Sequence, residues 1–187
     1  MKKKLIVLVG VVFVAVFFGR MLLAGADKDQ TVSMNWEIKE NNNQVIELLN
    51  SSQNIDIDIR QTESEYTKVL IEGTVSQKAY DKIQEVKVEG SSLSIQLGSD
   101  SMVGLTMVSD DDDEALKLTV LLGKEAMVKK YYIDGTSKIK VKVPGNYNGK
   151  FKLNTNNEGE ILNVPKTTKE ENTVIQIDTA GDIDIAE

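Results

Sequence analysis

Aliphatic and polar residues alternate strictly along this chain, and the alternating runs return at nearly constant intervals. Ile55, Ile57 and Ile59 alternate with Asp56, Asp58 and Arg60. Leu93, Ile95 and Leu97 enclose Ser94 and Gln96, and Leu116, Leu118 and Val120 enclose Lys117 and Thr119. Ile139, Val141 and Val143 follow Lys138, Lys140 and Lys142, and Ile183 and Ile185 follow Asp182 and Asp184. A period of two is that of a β-strand with one face buried, so the fold class is all-β. Leu93, Leu116, Ile139, Ile161 and Ile183 open successive runs at intervals of 23, 23, 22 and 22 residues. A second set lies between them, around Leu105, Tyr131, Phe151 and Ile175. Such spacing fits stacked repeats of two or three short strands, a β-solenoid-like architecture. The alternative is a β-sandwich, which also places strands and turn signals about every 8 to 12 residues.

Turn-forming clusters separate the runs: "EGSS", "SDDDDE", "IDGTS", "VPGNYNG", "NTNNEGE" and "TAGD". Their glycine, asparagine and aspartate residues suit tight reversals. Residues 76–86, "SQKAYDKIQEV", predict one short helix with Ser76 as its cap and Tyr80 and Ile83 on one face. Residues 27–49 read as a polar lead-in, with Trp36 and Ile38 as its first core contacts, to a β-repeat domain over residues 50–187.

The first 26 residues differ from the rest. "MKKK" precedes fifteen uncharged residues, then Arg20 and "MLLAGA". A basic start before an apolar run directs export, which leaves everything after Ala26 on the outer side of a membrane. Taken from Leu5 to Ala26 the run has 22 residues. As a helix it is about 33 Å long, enough to cross the hydrocarbon core as a single N-terminal anchor. The alternative is secretion after cleavage at Ala26, since Ala24-Gly25-Ala26 fits a signal peptidase site. No cysteine stands there to be lipidated.

Beyond Ala26 there are 18 basic residues against 29 acidic ones, a net charge of −11. That surface repels nucleic acid and favours cations or cationic peptides. With no cysteine, no disulfide supports the fold, and with no histidine the usual neutral-pH general base and zinc ligand are missing. No cofactor is expected.

Three constellations carry potential chemistry. Asp56 and Asp58 sit about 7 Å apart on one strand face, a separation suited to an inverting glycosidase. Outward neighbours on one strand stay solvated, however, and the same positions hold lysine at 138, 140 and 142, so these carboxylates read as a wet face. Asp110, Asp111, Asp112 and Asp113 offer oxygen ligands for calcium. They lack the alternating layout of an EF-hand loop and read as a solvated turn that protects strand edges. Lys138, Lys140 and Lys142, with Tyr131 and Tyr132 nearby, form a basic face for a polyanionic wall polymer, or else pair with acids on neighbouring strands. Met102, Met107 and Met127 read as core filler.

The runs "NIDIDIRQTESEYTKVLIEG", "VKVEGSSLSIQL", "KIKVKVPGNYNGKFKLNTNNEGEI" and "TAGDIDI" resemble the bacterial putative-adhesin family, a domain of unknown function built from β-strand repeats. The resemblance covers roughly residues 50–187 and rests on strand and turn patterns, with no chemical motif. It implies a Gram-positive type of envelope protein behind one N-terminal membrane segment, in some cases beside Lia-type envelope-stress signalling systems. The expectation is a non-enzymatic extracytoplasmic domain with an envelope protein, wall polymer or cationic peptide as partner. Its rivals are a glycan-active enzyme using surface carboxylates and a calcium-dependent structural module.

Overall fold

The computed structural model describes residues 29–98, 115–156, 158–168 and 172–187. The Leu5–Ala26 segment, Leu105, Met102, Met107 and the Asp110–Asp113 run lie outside them. Among the described residues no helix is long and apolar enough to cross a membrane. The described residues form thirteen strands and one helix, in chain order. They are β1 (Asp29–Ile38), β2 (Gln44–Ser51), β3 (Ile55–Gln61), β4 (Thr67–Ser76), α1 (Gln77–Glu85), β5 (Val88–Glu89), β6 (Ser92–Gln96) and β7 (Leu116–Leu122). The remainder are β8 (Val128–Gly135), β9 (Ile139–Lys142), β10 (Lys150–Asn154), β11 (Ile161–Leu162), β12 (Val174–Asp178) and β13 (Ile183–Ala186). The protein is thus predominantly β, as the alternation requires.

The strands form two mixed sheets. The first runs β1-β4-β7-β3-β9-β13-β11 and the second β10-β12-β8-β2-β6-β5. Strand pairs β2–β3, β6–β7, β8–β9, β10–β11 and β12–β13 each put one strand in the second sheet and the next in the first. Each pair is one layer of a stack. Pairing between neighbouring layers is parallel throughout. Antiparallel pairing enters only where β1 and β4 extend the first sheet and β5 extends the second.

From Leu116 onward the regular interval in the sequence has a direct cause in this register, whereas the step from Leu93 to Leu116 does not, because Leu93 lies in the second sheet. Leu116, Ile55, Ile139, Ile183 and Ile161 are cross-strand neighbours in a single ladder of the first sheet. Leu93, Ile46, Tyr131, Ile175 and Phe151 form the matching ladder of the second. Side chains of both ladders turn inward, and Ile55, Ile139, Ile175, Ile183, Leu93 and Leu116 are buried. Each such side chain contributes about 1.5–3 kcal/mol relative to exposure.

Layers do not stack in chain order, and here the structure departs from a simple solenoid. Their sequence across the stack is β10–β11, β12–β13, β8–β9, β2–β3, β6–β7. The layer latest in the chain, β12–β13, is therefore inserted between two earlier ones. Equal spacing records the length of one layer and not which layer it lies against, so periodicity could not reveal the permutation.

The stretch read as a lead-in over residues 27–49 supplies β1 and most of β2, with Val32, Trp36, Ile38, Ile46 and Leu48 in the core. The asparagine-rich stretch at residues 41–43 is the turn between them, where Asn43 adopts a positive φ of 55°. Helix α1 forms as predicted. Ser76 caps it by accepting the Ala79 N–H at 3.2 Å, and Ala79 and Ile83 are buried. The helix lies where β1 approaches β5, and Trp36 Nε1 donates to the Val86 carbonyl at 3.2 Å, so this end of the stack is capped.

Candidate functional site

The outer face of the first sheet holds every charged strand residue singled out above except Asp182 and Lys138. In register across it stand Glu72, Lys117, Asp56, Lys140 and Asp184, one from each of five neighbouring strands. Sign alternates at every step. Strands lie about 4.8 Å apart, so Lys117, Asp56 and Lys140 each stand between two groups of opposite sign, although none of these pairs closes to an ion pair among the described residues. Asp58 sits two residues further on, between Thr119 and Lys142. Its Oδ2 accepts the Arg60 Nε–H at 2.8 Å and pairs with the same guanidinium through Nη2. That hydrogen bond and charge hold the Arg60 guanidinium pKa above its ordinary value. Asp58 Oδ1 is buried without a hydrogen-bond partner among the described residues.

Asp56 and Asp58 therefore lie on a flat, charge-interleaved face and not in a cleft. Lys140 and Lys142 fill the gaps in that ladder and do not form a basic stripe. Tyr131 and Tyr132 are not part of it. Tyr131 points into the core and Tyr132 lies on the outer face of the second sheet. Lys138 precedes β9, in the turn, where its backbone N–H donates to Asn54 Oδ1 at 3.3 Å.

Turns joining the two strands of a layer stack directly on one another. Thr136 N–H donates to the Ser51 carbonyl at 2.8 Å, and Thr179 Oγ1 to the Ser137 carbonyl at 2.7 Å. Asp182 Oδ1 accepts the Glu160 N–H at 3.0 Å, so this acid of the "GDIDI" run serves the turn beside it. Glycine is required where these backbones meet. A Cβ on Gly181 would lie 2.4 Å from the Ser137 carbonyl carbon, and one on Gly159 only 2.2 Å from the Gly181 oxygen.

On the outer face of the second sheet Tyr132 lies beneath the Lys130 ammonium, 4.2 Å from the ring centroid. Burial, with the charges of Asp134 and Asp178 after it, pushes the Tyr132 hydroxyl pKa up. Asp134 accepts the Asn50 N–H at 3.2 Å, and Asp178 accepts Gln176 Nε2 at 2.9 Å and Asn154 Nδ2 at 3.3 Å. Among the described residues no three carboxylates are grouped to hold a metal ion.

Between the sheets Ile46, Leu48, Ile57, Ile59, Leu118 and Val141 help to line a cavity of about 10 Å³. That is the size of one water molecule, and the lining is too apolar to hold one. Met127 is 61% exposed, not core. Its backbone is what the fold uses, donating to Asn41 O at 2.7 Å and accepting from Gln44 N at 3.0 Å. The alternation had marked β10 and β11 as ordinary members of the repeat. It did not reveal that they end the stack, where Phe151 and Leu153 are half-buried and Ile161 is 47% exposed.

No family model matches the chain, and no curated protein matches it. Among solved structures, the chain is similar to a putative cell adhesion protein from Clostridium sporogenes at 13% identity, with 84% of this chain and 99% of that one covered and a TM-score of 0.36. A putative adhesin from Bacteroides fragilis gives 11% identity, 85% and 98% coverage and a TM-score of 0.32. A putative lipid binding protein from Parabacteroides distasonis gives 17% identity over 82% of this chain and 58% of that one, with a TM-score of 0.30. Superposition this loose assigns this chain neither family nor activity.

Proposed function

We propose that this chain is a non-enzymatic β module of the cell envelope, held at the outer side of the membrane by its N-terminal apolar segment and acting through its surface as an adhesin or envelope-stress accessory protein. One observation carries the non-enzymatic part: Asp56 and Asp58 stand on a flat sheet between lysine-bearing strands, Lys117 on β7 and Lys140 and Lys142 on β9. An acid–base pair needs two carboxyl groups in unlike environments, facing each other across a substrate. Here both project from one face of one strand, and the strands on either side set lysine or threonine, not a carboxylate, opposite each of them.

The basic start, the apolar run and the polar remainder support the location. Fractionation of cells, with a mass measurement of the mature N-terminus, tests it: an intact chain in the membrane fraction is expected, and a soluble chain beginning at Asp27 would mean cleavage. Asp56→Asn with Asp58→Asn tests the activity. Surface binding and wall-glycan hydrolysis are expected to stay at the level of the unaltered chain. Hydrolysis that disappears in the variant while the fold survives would favour the enzyme.

A further inference from the structure

The two ends of the stack differ. Beyond β6–β7 the sheets are closed by β1, β4, β5 and α1, with Ile83 buried beneath the helix. At the other end β10 and β11 are the outermost strands, and among the described residues nothing pairs with their outer edges. Lys150 N–H donates to Thr173 O at 2.8 Å and Asn154 O accepts from Thr179 N at 2.9 Å, so the peptide groups of residues 150, 152 and 154 face β12. In a parallel ladder the intervening residues turn their N–H and C=O the other way. Among the described residues the outward N–H and C=O groups of Phe151 and Leu153 are thus unpaired, over side chains that are only half-buried.

The protein itself shows which strand fits beside such an edge. Strand β9, with Lys140 and Lys142 outward and Ile139 and Val141 inward, is flanked by β3 and β13, which carry Asp56 and Asp184 in register with Lys140. Strand β10 has the same pattern, with Lys150 and Lys152 outward and Phe151 and Leu153 inward. Its neighbour β12 offers only Val174 and Gln176 opposite those lysines. Among the described residues none of Lys140, Lys142, Lys150 and Lys152 closes an ion pair, so the difference from β9 lies in the acids held in register beside Lys140 and absent beside Lys150 and Lys152. A second β10 is a poor occupant, because antiparallel pairing of two such strands sets lysine against lysine.

We infer that the outer edge of β10 accepts an added β-strand from another polypeptide, an extended segment that alternates aliphatic residues with aspartate or glutamate. Backbone hydrogen bonds to residues 151 and 153 would hold it, its aliphatic side chains would cover Phe151 and Leu153, and its acids would face Lys150 and Lys152. This reading does not depend on which envelope role the module plays.

A labelled peptide with the sequence of residues 181–187, "GDIDIAE", is a suitable probe, titrated with the full-length chain and followed by fluorescence anisotropy. Saturable binding that weakens with added salt is expected, reduced at least about tenfold by Lys150→Glu with Lys152→Glu. Both lysines are exposed, so the circular dichroism spectrum of the variant should match the unaltered chain. A peptide carrying lysine in place of both aspartates should bind that variant and not the unaltered chain. Three results would overturn the inference: no binding, binding indifferent to the charge reversal, or equal displacement by soluble polyphosphate, which has no backbone to pair. Sedimentation that showed a dimer without peptide, dissolved by the same variant, would assign the edge to a second copy instead.

Discussion

Lys140 lies in register with Asp56 on one side and Asp184 on the other. Opposite charges facing each other across a ladder contribute about 0.2–1 kcal/mol per pair, and like charges cost similar amounts. Lys140→Glu replaces two attractions by two repulsions, so urea denaturation should show a loss of about 1–2 kcal/mol at low salt, shrinking as salt screens the face. Tyr132 gives a second prediction at this scale. Its hydroxyl titrates above its unfolded value near 10, so the folded chain holds the proton more tightly. That stabilisation is complete below about pH 10 and is lost as pH rises through the raised folded value. Denaturation midpoints followed from about pH 9 to 11 should therefore fall, and fall less in Tyr132→Phe, which has no proton to lose.

At the scale of elements, the turns decide how closely layers approach. Gly181→Ala sets a methyl group against the Ser137 backbone, which has no flexible side chain to move aside. A loss of about 1–3 kcal/mol is expected, the range for forcing extra volume into packed structure. Gly145→Ala is the control, since a Cβ there meets nothing within 4 Å, and its thermal midpoint should be unchanged or slightly higher. Strands β3, β6, β7, β9 and β13 and helix α1 were legible because each turns a periodic apolar face inward, and a period of two or of 3.6 is written directly in residue order, whereas β1 and β2 were hidden in what read as a lead-in. Ser76 and Ile83 show how far that goes, since cap and inner face follow from local chemistry, while Tyr80, read on the same face, is only partly buried and Ala79 takes the buried place beside Ile83. The charge ladder was half-legible. Opposite signs at Asp56 and Lys140 can be read in the sequence, whereas their being neighbours follows from register over 84 residues of chain, which local pattern does not encode. The same limit hid the free edge of β10, because "KFKLN" has the alternation of an interior strand such as β9.

For the whole molecule, the permuted order of layers matters most. Strands β12 and β13 occupy interior slots in both sheets, between β10 and β8 and between β11 and β9. Removing residues 172–187 would leave β10 and β11 without a neighbour and expose one side of β8 and β9, together with Ile133, Ile139 and Val141. The chain so shortened is expected to lose cooperative unfolding and to bind a hydrophobic dye, as checked by denaturant titration and dye fluorescence. Synthesis delivers the outer layer β10–β11 before the one that joins it to the rest. Until that wedge arrives, two half-built sheets must wait with an open seam between them. A chain leaving a ribosome or a translocation channel thus locks into shape by closure from within, and a factor that guards nascent chains would find a target along that gap.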